Sequence, residues 1–445
     1  MFALRQTNEI LTSQSGLALI GSLLKKSDYA EALNSLPAPE NRGNNFKNSD
    51  IAISMIGLLA QGKCDFENIE LHRQDPFFPL ALQIGRTPSA PRLRQRLDEA
   101  NAQWDAAALQ ASVRLLKDWA IQSSCFADYI PLDLDVSIFN NEDSNKEGVS
   151  KTYQLVDGFA PMFAYLGQEG YLLNLELREG KTHCQNGTEQ FLQKTLDLLP
   201  AFRHQKYLLR MDSGNDSLDN IRVCQEFNKT HAGKVHVCYI IKRNLRKESV
   251  EEWLRLAQEV GSITSPRPGK KVYIGKIYRR IEGFEEPLEI VFQVIERTSS
   301  SKGQQFLLPE IEVETYWNSL PATPEEVIGL YHAHGTSEQY HSEFKGDIPL
   351  ERLPSGYFET NTRVMFLGLL AFNILRIMGQ ESLNYAGSPI PTKERIHRRR
   401  LRSVMQDLVY LAARLISHGR QWVLGFGKIS PFYDTFRYLY LKWAS

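Results

Sequence analysis

Four polar residues within the segment YHAHGTSEQYHSEFKGD (residues 331–347) have types and a spacing that could support chemistry. They are Tyr331, His334, Glu338 and Lys345, which combine a carboxylate, an amine and two hydrogen-bonding rings. On an α-helix, which turns about 100° per residue, these side chains fall within roughly 60° of one another. Such a stripe is either a solvated polar face or one wall of an active site, and the rest of the chain must decide between the two.

Two aspartates outside this segment could complete an acidic site with Glu338. Asp135 lies in the alternating segment IPLDLDVSIF, on the face opposite its apolar residues, and Asp212 ends the apolar segment YLLRMD. Carboxylates on two strands and a later helix can converge at one edge of a sheet, but they repel one another unless a cation neutralises them. Mg²⁺ suits such a site because it binds a few carboxylates together with substrate phosphate. Two ions about 4 Å apart can activate a water and stabilise the leaving oxygen of a phosphodiester.

The elements that must position these residues predict an α/β fold. Residues 130–241 contain three strand patterns with a hairpin, then a helix, a strand, a second helix and a last strand. This order indicates a mixed sheet with helices packed on it. The sequence TPEE at residues 323–326 supplies an N-cap threonine, a first-turn proline and a glutamate for a capping box. This pattern predicts where the helix that carries Glu338 begins.

The flanking parts of the chain follow other patterns. Residues 1–125 are predicted to be helical, with a possible DNA-binding unit at the basic helix after Ser89. Residues 242–320 contain a helix, a Pro/Gly/Ser-rich break (GSITSPRPGKK) and two strands, and from Thr323 the chain is predicted to be helical to its end. The predicted division is an N-terminal helical DNA-binding domain (1–125), a core in two parts (126–241 and 321–380), a β-rich insertion (242–320) and a C-terminal helical region (381–445).

Composition excludes several classes of protein. The chain has 445 residues, and 52 basic residues balance 52 acidic ones, so any nucleic-acid surface must be local. Five cysteines without CxxC spacing suit a reducing cytoplasm. No secretory signal is visible, and the most apolar segment, residues 364–378, is too short to span a bilayer and is expected to be a buried core helix.

The segment described first also resembles a known family. Tyr331, His334, Glu338 and Lys345 match the Y-x2-R-x3-E-x6-K signature of bacterial insertion-sequence transposases of the DDE type. Every spacing agrees, and the one departure is histidine at the arginine position. The chain thus resembles this group in the residues that would form one wall of an active site.

The aspartates resemble the family pattern too. The first family aspartate lies in a strand and is commonly followed two residues later by Ser or Thr, as Asp135 is by Ser137. Asp133 lacks that partner and is the second choice. The second family aspartate commonly opens a D-S-G turn after an apolar strand, which residues 212–214 match. A β insertion before the glutamate is also typical of the group, and the resemblance covers about residues 10–425.

The resemblance implies a ribonuclease H-like core and a DNA transposase that needs two Mg²⁺ ions, for which Mn²⁺ could substitute. The implied catalytic and metal-binding residues are Asp135, Asp212 and Glu338, and the implied DNA contacts are Tyr331, His334 and Lys345. The enzyme would cleave double-stranded DNA at terminal inverted repeats and join the freed 3′-hydroxyl to target DNA. It would act as a homodimer in the cytoplasm, associated with the nucleoid and with no membrane.

Two other functions stay open from the sequence. The same core could be a metal-dependent nuclease that does not join strands. It could also be a transposase-derived DNA-binding protein without catalysis, because the histidine at position 334 is only partly charged near pH 7, unlike an arginine. A third interpretation is that the three acidic residues do not form a site, because some of the 52 acidic residues fall on strands by chance.

Other residues have a structural and a functional interpretation. Trp317 could stack on a base, but a core position is the stronger expectation. The basic run 393–402 fits phosphate contacts or a solvated helix equally well. His332 and His341 are expected on an ordinary polar face. Asp216 and Glu343 lie near the acidic residues in sequence and are expected to be surface or supporting residues.

Overall fold

The computed structural model describes residues 2–38, 46–120, 122–390, 396–419 and 421–444. Its helices are α1 Leu17–Lys26, α2 Tyr29–Ser35, α3 Asn48–Leu59, α4 Phe77–Leu82, α5 Ala90–Glu99, α6 Ala102–Trp119, α7 Thr188–Leu196, α8 Leu218–Thr230, α9 Val250–Val260, α10 Pro324–His332, α11 Ser337–Ser342, α12 Phe358–Asn384, α13 Leu401–Val404 and α14 Tyr433–Ala444. Its strands are β1 Ile10–Thr12, β2 Ile130–Val136, β3 Phe139–Asn140, β4 Ser150–Lys151, β5 Asp157–Phe159, β6 Met162–Leu166, β7 Tyr171–Glu176, β8 Lys206–Met211, β9 His236–Lys242, β10 Ser262–Arg267, β11 Lys270–Arg279, β12 Leu288–Ser299, β13 Gln305–Asn318, β14 Ala413–His418 and β15 Gln421–Phe426.

The central sheet confirms the predicted α/β fold. Strands β2, β6 and β7 form an antiparallel meander, and β8 and β9 add to the other side of β2 in parallel. The resulting order β9-β8-β2-β6-β7 is that of a ribonuclease H-like core. Parallel strands need a crossover connection, and α7 and α8 lie where such connections are required. The carboxyl ends of β2 and β8 therefore meet side by side at one edge of the sheet.

The β-rich insertion extends this sheet rather than forming a separate one. Strand β13 pairs antiparallel with β9, and β12, β11 and β10 follow outward in order. The two predicted strands are confirmed as β11 and β12. The Pro/Gly/Ser-rich segment was predicted to be a break, but its residues 262–267 form β10. This strand is in register with β11 through Ser262 opposite Ile274. A strand at the edge of the sheet tolerates proline because one side of it has no partner to bond.

Helix α12 is the buried centre of the helical layer. It is long and apolar enough to cross a membrane, but 89% of its most apolar 18-residue window is buried inside the protein. The prediction of a buried core helix is confirmed. The Asn373 amide donates to Ser112 Oγ of α6 (2.8 Å) and to Leu172 O of β7 (2.7 Å), and Asn373 Oδ1 accepts from Leu172 N (2.8 Å). This buried amide joins α12 to an N-terminal helix and to the central sheet.

The prediction that the chain is helical to its end is wrong for residues 413–418 and 421–426. Strands β14 and β15 pair with each other, and β14 pairs with β1 through Leu11 opposite Arg414. Strand β1 is likewise an exception to the helical prediction for the first 125 residues. The β1–β14 pairing joins residues about 400 positions apart and leaves no local pattern in the sequence, whereas β14 and β15 are neighbours along the chain.

The helix that carries the first segment begins as predicted but is not uniform. The Thr323 hydroxyl accepts from Glu326 N (3.3 Å), and Glu326 Oε2 accepts from Thr323 N (2.8 Å), which confirms the capping box. After α10 the chain tightens into a 3₁₀ turn (Ala333–Thr336), continues as α11 and widens into a π-helical turn (Glu343–Asp347). Such changes of winding often mark functional sites.

Candidate active site

One open cavity collects all the residues predicted for the site. Its lining includes the three predicted carboxylates and the three predicted DNA contacts: Asp135, Asp212, Glu338, Tyr331, His334 and Lys345. The floor is the edge of the sheet where β2 and β8 end, and one wall is the segment from α10 to the π-helical turn. The predicted stripe of four polar residues therefore still faces the cavity, despite the changes in helical winding.

The pairing of β2 with β8 places the two aspartates next to each other. Leu134 lies opposite Met211 in this parallel pair, so Asp135 and Asp212 are the next residue on each strand. Burial and the negative charge of Asp135 raise the pKa of Asp212, although Asn215 Nδ2 donates to it (2.7 Å). Two neighbouring carboxylates that disfavour each other's ionisation form a site that favours a cation.

A histidine that the sequence analysis placed on a polar face holds Asp135. His341 is buried, and its Nε2 lies 3.2 Å from Asp135 Oδ2 while its Nδ1 lies 3.1 Å from the Tyr165 hydroxyl. Burial alone would raise the pKa of Asp135, but the hydrogen bond from His341 holds it below its usual value. Ser337 Oγ donates to the same oxygen (3.4 Å). The expectation for His341 is wrong, whereas His332 is exposed as expected.

The third carboxylate differs from the two aspartates. Glu338 is exposed in α11, and among the described residues it has no hydrogen-bond or ion-pair partner. In the described part of the chain no three His, Cys, Asp or Glu side chains are grouped closely enough to hold a metal ion. The donor set nevertheless fits Mg²⁺, because this ion takes oxygen ligands and commonly binds one or two carboxylates plus waters and substrate phosphate.

A buried charge network lies beneath the two aspartates. Arg210 donates to both oxygens of Asp133, from Nε (2.6 Å) and from Nη2 (2.7 Å), and His334 Nδ1 lies 3.0 Å from Asp133 Oδ1. Burial alone would raise the pKa of Asp133, but Arg210 and His334 hold it low. Asp133 is thus engaged by Arg210 and His334, which leaves Asp135 as the first aspartate that lines the cavity.

The same network changes the chemistry of His334. Burial alone would lower the pKa of His334, but the charge and hydrogen bond of Asp133 raise it above its usual value. The side chain is 6% exposed, lines the cavity, and its Nε2 has no partner among the described residues. His334, at the arginine position of the signature, therefore keeps its proton to a higher pH than a free histidine does.

The other two predicted DNA contacts also border the cavity. The Tyr331 ring packs against Tyr316 with centroids 4.8 Å apart, and burial raises the pKa of its hydroxyl. Lys345 lies in the π-helical turn with its Nζ 5.7 Å from the centre of the Phe139 ring. Burial lowers the pKa of Lys345, opposed by Glu351 and Asp135.

The remaining candidates have structural partners. Trp317 is buried, and its Nε1 donates to Asp216 Oδ1 (2.9 Å), which confirms the core position. Glu343 is buried between Arg376 and Arg398 and accepts from Leu401 N (2.9 Å). A surface position is therefore wrong for both acids, which act as internal supports.

The arginine run at residues 398–402 packs against the site helix, by which we mean α11 and the π-helical turn that follows it. Arg398 contacts Glu343 and donates to Gln339 Oε1 (2.8 Å), while Arg400 and Arg402 pair with the buried Asp347 at 3.0 and 3.2 Å. Residues 396–400 are not helical, so the solvated-helix interpretation is wrong for them, while a phosphate contact of the half-exposed Arg400 and Arg402 stays a prediction. Residues 393–395 of the predicted run lie outside the described residues. The run instead holds α11 and the π-helical turn in place.

The basic helix of the N-terminal region has one of its arginines buried in the fold. Helix α5 starts after Ser89 as predicted. Arg96, however, is buried and donates to Asn48 Oδ1 (2.5 Å) and to Phe46 O (3.1 Å). Arg94 pairs with Glu67 at the surface. Arg92 is the remaining arginine of this helix, so its positive surface is smaller than the sequence indicates.

The sheet order and the acidic cavity at the ends of its central strands are features of enzymes that act on the nucleic-acid backbone. The family described as transposase DDE domain group 1 matches residues 3–444, and the chain belongs to this family. The protein is therefore a transposase of the DDE class. No curated protein matches the chain. Among solved structures, a piggyBac transposase in a synaptic complex with hairpin DNA is similar at 10% identity and a TM-score of 0.42, over 91% of this chain and 82% of that one.

Proposed function

We propose that this transposase belongs to a bacterial insertion sequence, cuts DNA at terminal inverted repeats and joins the freed 3′-hydroxyl to target DNA. The observation that carries the proposal is the placement of Asp135, Asp212 and Glu338 around one open cavity in a chain of this family. The two aspartates lie side by side at the end of adjacent parallel strands, and the Glu338 carboxylate on the facing helix has no partner among the residues that the structure describes.

Asp135, Asp212 and Glu338 would hold two Mg²⁺ ions, with Mn²⁺ as a substitute. When bound, such ions supply charge neutralisation for the scissile phosphate and a nucleophile at neutral pH. His341 fixes one oxygen of Asp135, so that this carboxylate is oriented before substrate binds.

Three residues are proposed to position DNA rather than to react. Lys345 contributes positive charge, and the Tyr331 hydroxyl can donate to a phosphate oxygen. His334 borders the cavity, and Asp133 holds it towards the charged form, so it would contribute positive charge where the family has arginine. Its Nε2 is buried and has no partner among the described residues, so the proposed contribution is one of charge rather than of a direct hydrogen bond.

The test is DNA cleavage by the purified protein. The substrate is a fragment that carries the DNA flanking both ends of the gene, with Mg²⁺ or with a chelator. We expect cuts at the ends that require Mg²⁺ and vanish in Asp135→Asn. Asp118→Asn changes an exposed carboxylate on α6, outside the cavity, and should leave cutting unchanged.

The products separate the proposed function from its alternatives. Joined products from a pre-cut 3′-hydroxyl donor would support strand transfer, whereas cutting without joining would indicate a nuclease. Binding without cutting in both the natural protein and Asp135→Asn would indicate a DNA-binding protein. The proposed homodimer on paired ends predicts that complexes contain two protein chains, which light scattering of the protein–DNA complex measures. The proposed location is the cytoplasm, at the nucleoid.

A further inference from the structure

A small hairpin beside the cavity presents an exposed aromatic ring. Strands β4 and β5 pair with each other, and β5 also pairs with β3, which follows Asp135 along the chain after three residues. The loop between them is Tyr153-Gln154-Leu155, closed by hydrogen bonds from Leu155 N to Thr152 O (2.9 Å) and from Thr152 N to Val156 O (2.9 Å). Tyr153 is 66% exposed at its tip.

Tyr153 stands at the boundary between two cavities that share the catalytic aspartates. One is the cavity described above, and the other extends past the opposite side of Asp135 and Asp212 to Lys151, Lys181 and His183. Tyr153 lines both. Partial burial of its hydroxyl and then the charges of Asp135 and Asp212 raise its pKa. A strand that places a phosphate at these aspartates must therefore pass this ring.

The loop that carries the ring has an unusual backbone conformation next to it. Leu155 has φ 62°, a left-handed conformation that a leucine adopts only at an energetic cost. A three-residue hairpin loop normally places glycine at such a position, so this loop maintains a strained residue next to the site. Leu155 is itself 79% exposed, which leaves no core packing to explain the strain. Strained residues that persist are characteristic of ligand-contact loops.

We propose that Tyr153 stacks on a DNA base next to the scissile phosphate and so positions the strand at the aspartates. The inference rests on the proposed function, since it requires DNA to be the substrate of this cavity. Bases have an apolar π-face in every sequence, so an exposed ring at this place would act on any flanking sequence. Tyr153 is then a positioning residue and takes no part in bond breaking.

The test measures coupling between the ring and one base. Affinity is measured in the Asp135→Asn background, with abasic sites placed singly over the nucleotides around the cut. We expect one abasic site to weaken binding by about fivefold to a hundredfold, the range of base–aromatic stacking. Tyr153→Ala should weaken binding to intact DNA similarly and abolish the effect of that abasic site. Tyr153→Phe should behave as the natural protein, because it keeps the ring.

The control is Tyr357→Ala, which removes an equally exposed tyrosine that lines neither cavity. It should keep the abasic effect. If Tyr153→Ala still discriminates against the abasic site, the stacking proposal is overturned. If Tyr153→Phe behaves as Tyr153→Ala, a hydroxyl contact replaces stacking and the proposal also fails. Absence of Mg²⁺-dependent cutting by the natural protein overturns the proposed function, and this inference with it.

Discussion

At the scale of single residues, the network beneath the aspartates connects three positions that are far apart in sequence. The parallel register places Asp133 beside Arg210 for the same reason that it places Asp135 beside Asp212, since each pair is two residues from the other along both strands. Once the two proposed catalytic aspartates are aligned, the sequence alone predicts the Asp133–Arg210 pair. The contact of His334 with Asp133 could not be predicted this way, because it depends on how the helix packs on the sheet.

This network predicts a pH dependence of stability. Asp133 raises the pKa of His334 above the value of about 6.5 expected in the unfolded chain. The stabilisation is therefore complete below that unfolded value and is lost as the pH rises through the folded value. Between the two, each pH unit changes the free energy of unfolding by about 1.4 kcal/mol. Urea unfolding from pH 5.5 to 9 should show the natural protein losing its advantage over His334→Gln as the pH increases, and a constant difference would refute the link.

At the scale of elements, the strands of the core were predicted best and the edges least. Alternating or continuous apolar runs identify β2, β8 and β9, because central strands bury both faces. Strand β10 was missed because its exposed residues include proline and no apolar face. Strands β14 and β15 pair with each other although they are neighbours in the chain, so the helical prediction overlooked a local pattern, and only the pairing of β14 with β1 joins distant segments. The changes from α-helix to 3₁₀ turn and then to π-helical turn after α10 were also not predicted, because they produce no regular spacing of apolar residues.

The site helix depends on one buried carboxylate at the start of its π-helical turn. Glu343 accepts from Arg376, which is fully buried and whose pKa burial lowers to about 10, and from Arg398. Removing one partner of a buried ion pair costs about 3–5 kcal/mol. We expect Glu343→Gln to lower the free energy of unfolding by this amount in urea titrations.

The matched control for this prediction is Glu285→Gln, which breaks the pair of an exposed glutamate with the exposed Lys229 of α8. Surface pairs contribute about 0–1 kcal/mol, so the loss should be small. Equal losses in the two variants would contradict a special role for the buried carboxylate. If Glu343→Gln stays folded but no longer cuts DNA, the position of the site helix is needed for cleavage as well as for stability.

At the scale of the whole molecule, the N-terminal helices and the core share apolar packing. One continuous hydrophobic cluster runs from Leu17 in α1 through α12 to Trp443 in α14. Contacts across the predicted boundary at residue 125 include the Thr360 hydroxyl, which donates to Asp98 (2.6 Å), and the Asn373 amide, which donates to Ser112. The predicted division into domains stays a prediction, but the packing argues against an N-terminal unit that folds alone.

A fragment of residues 1–125 should therefore be largely unfolded. Without α12 it leaves the apolar faces of α3 and α6 exposed to water, and such helices gain most of their stability from tertiary packing. Circular dichroism and thermal melting of the fragment measure this directly, with the full chain as reference. A cooperative melt of the isolated fragment would establish an independent domain.

The arginine run that packs on the site helix has a consequence for the history of such genes. A stop codon after residue 397 would leave the codons of Asp135, Asp212 and Glu338 intact, and a reader of the gene would still find the complete signature. The protein would nevertheless lose the arginines that pair with Glu343 and Asp347 and hold Glu338 and Lys345 at the cavity. Decay of a mobile element can thus begin downstream of the signature, before any residue of the signature has mutated.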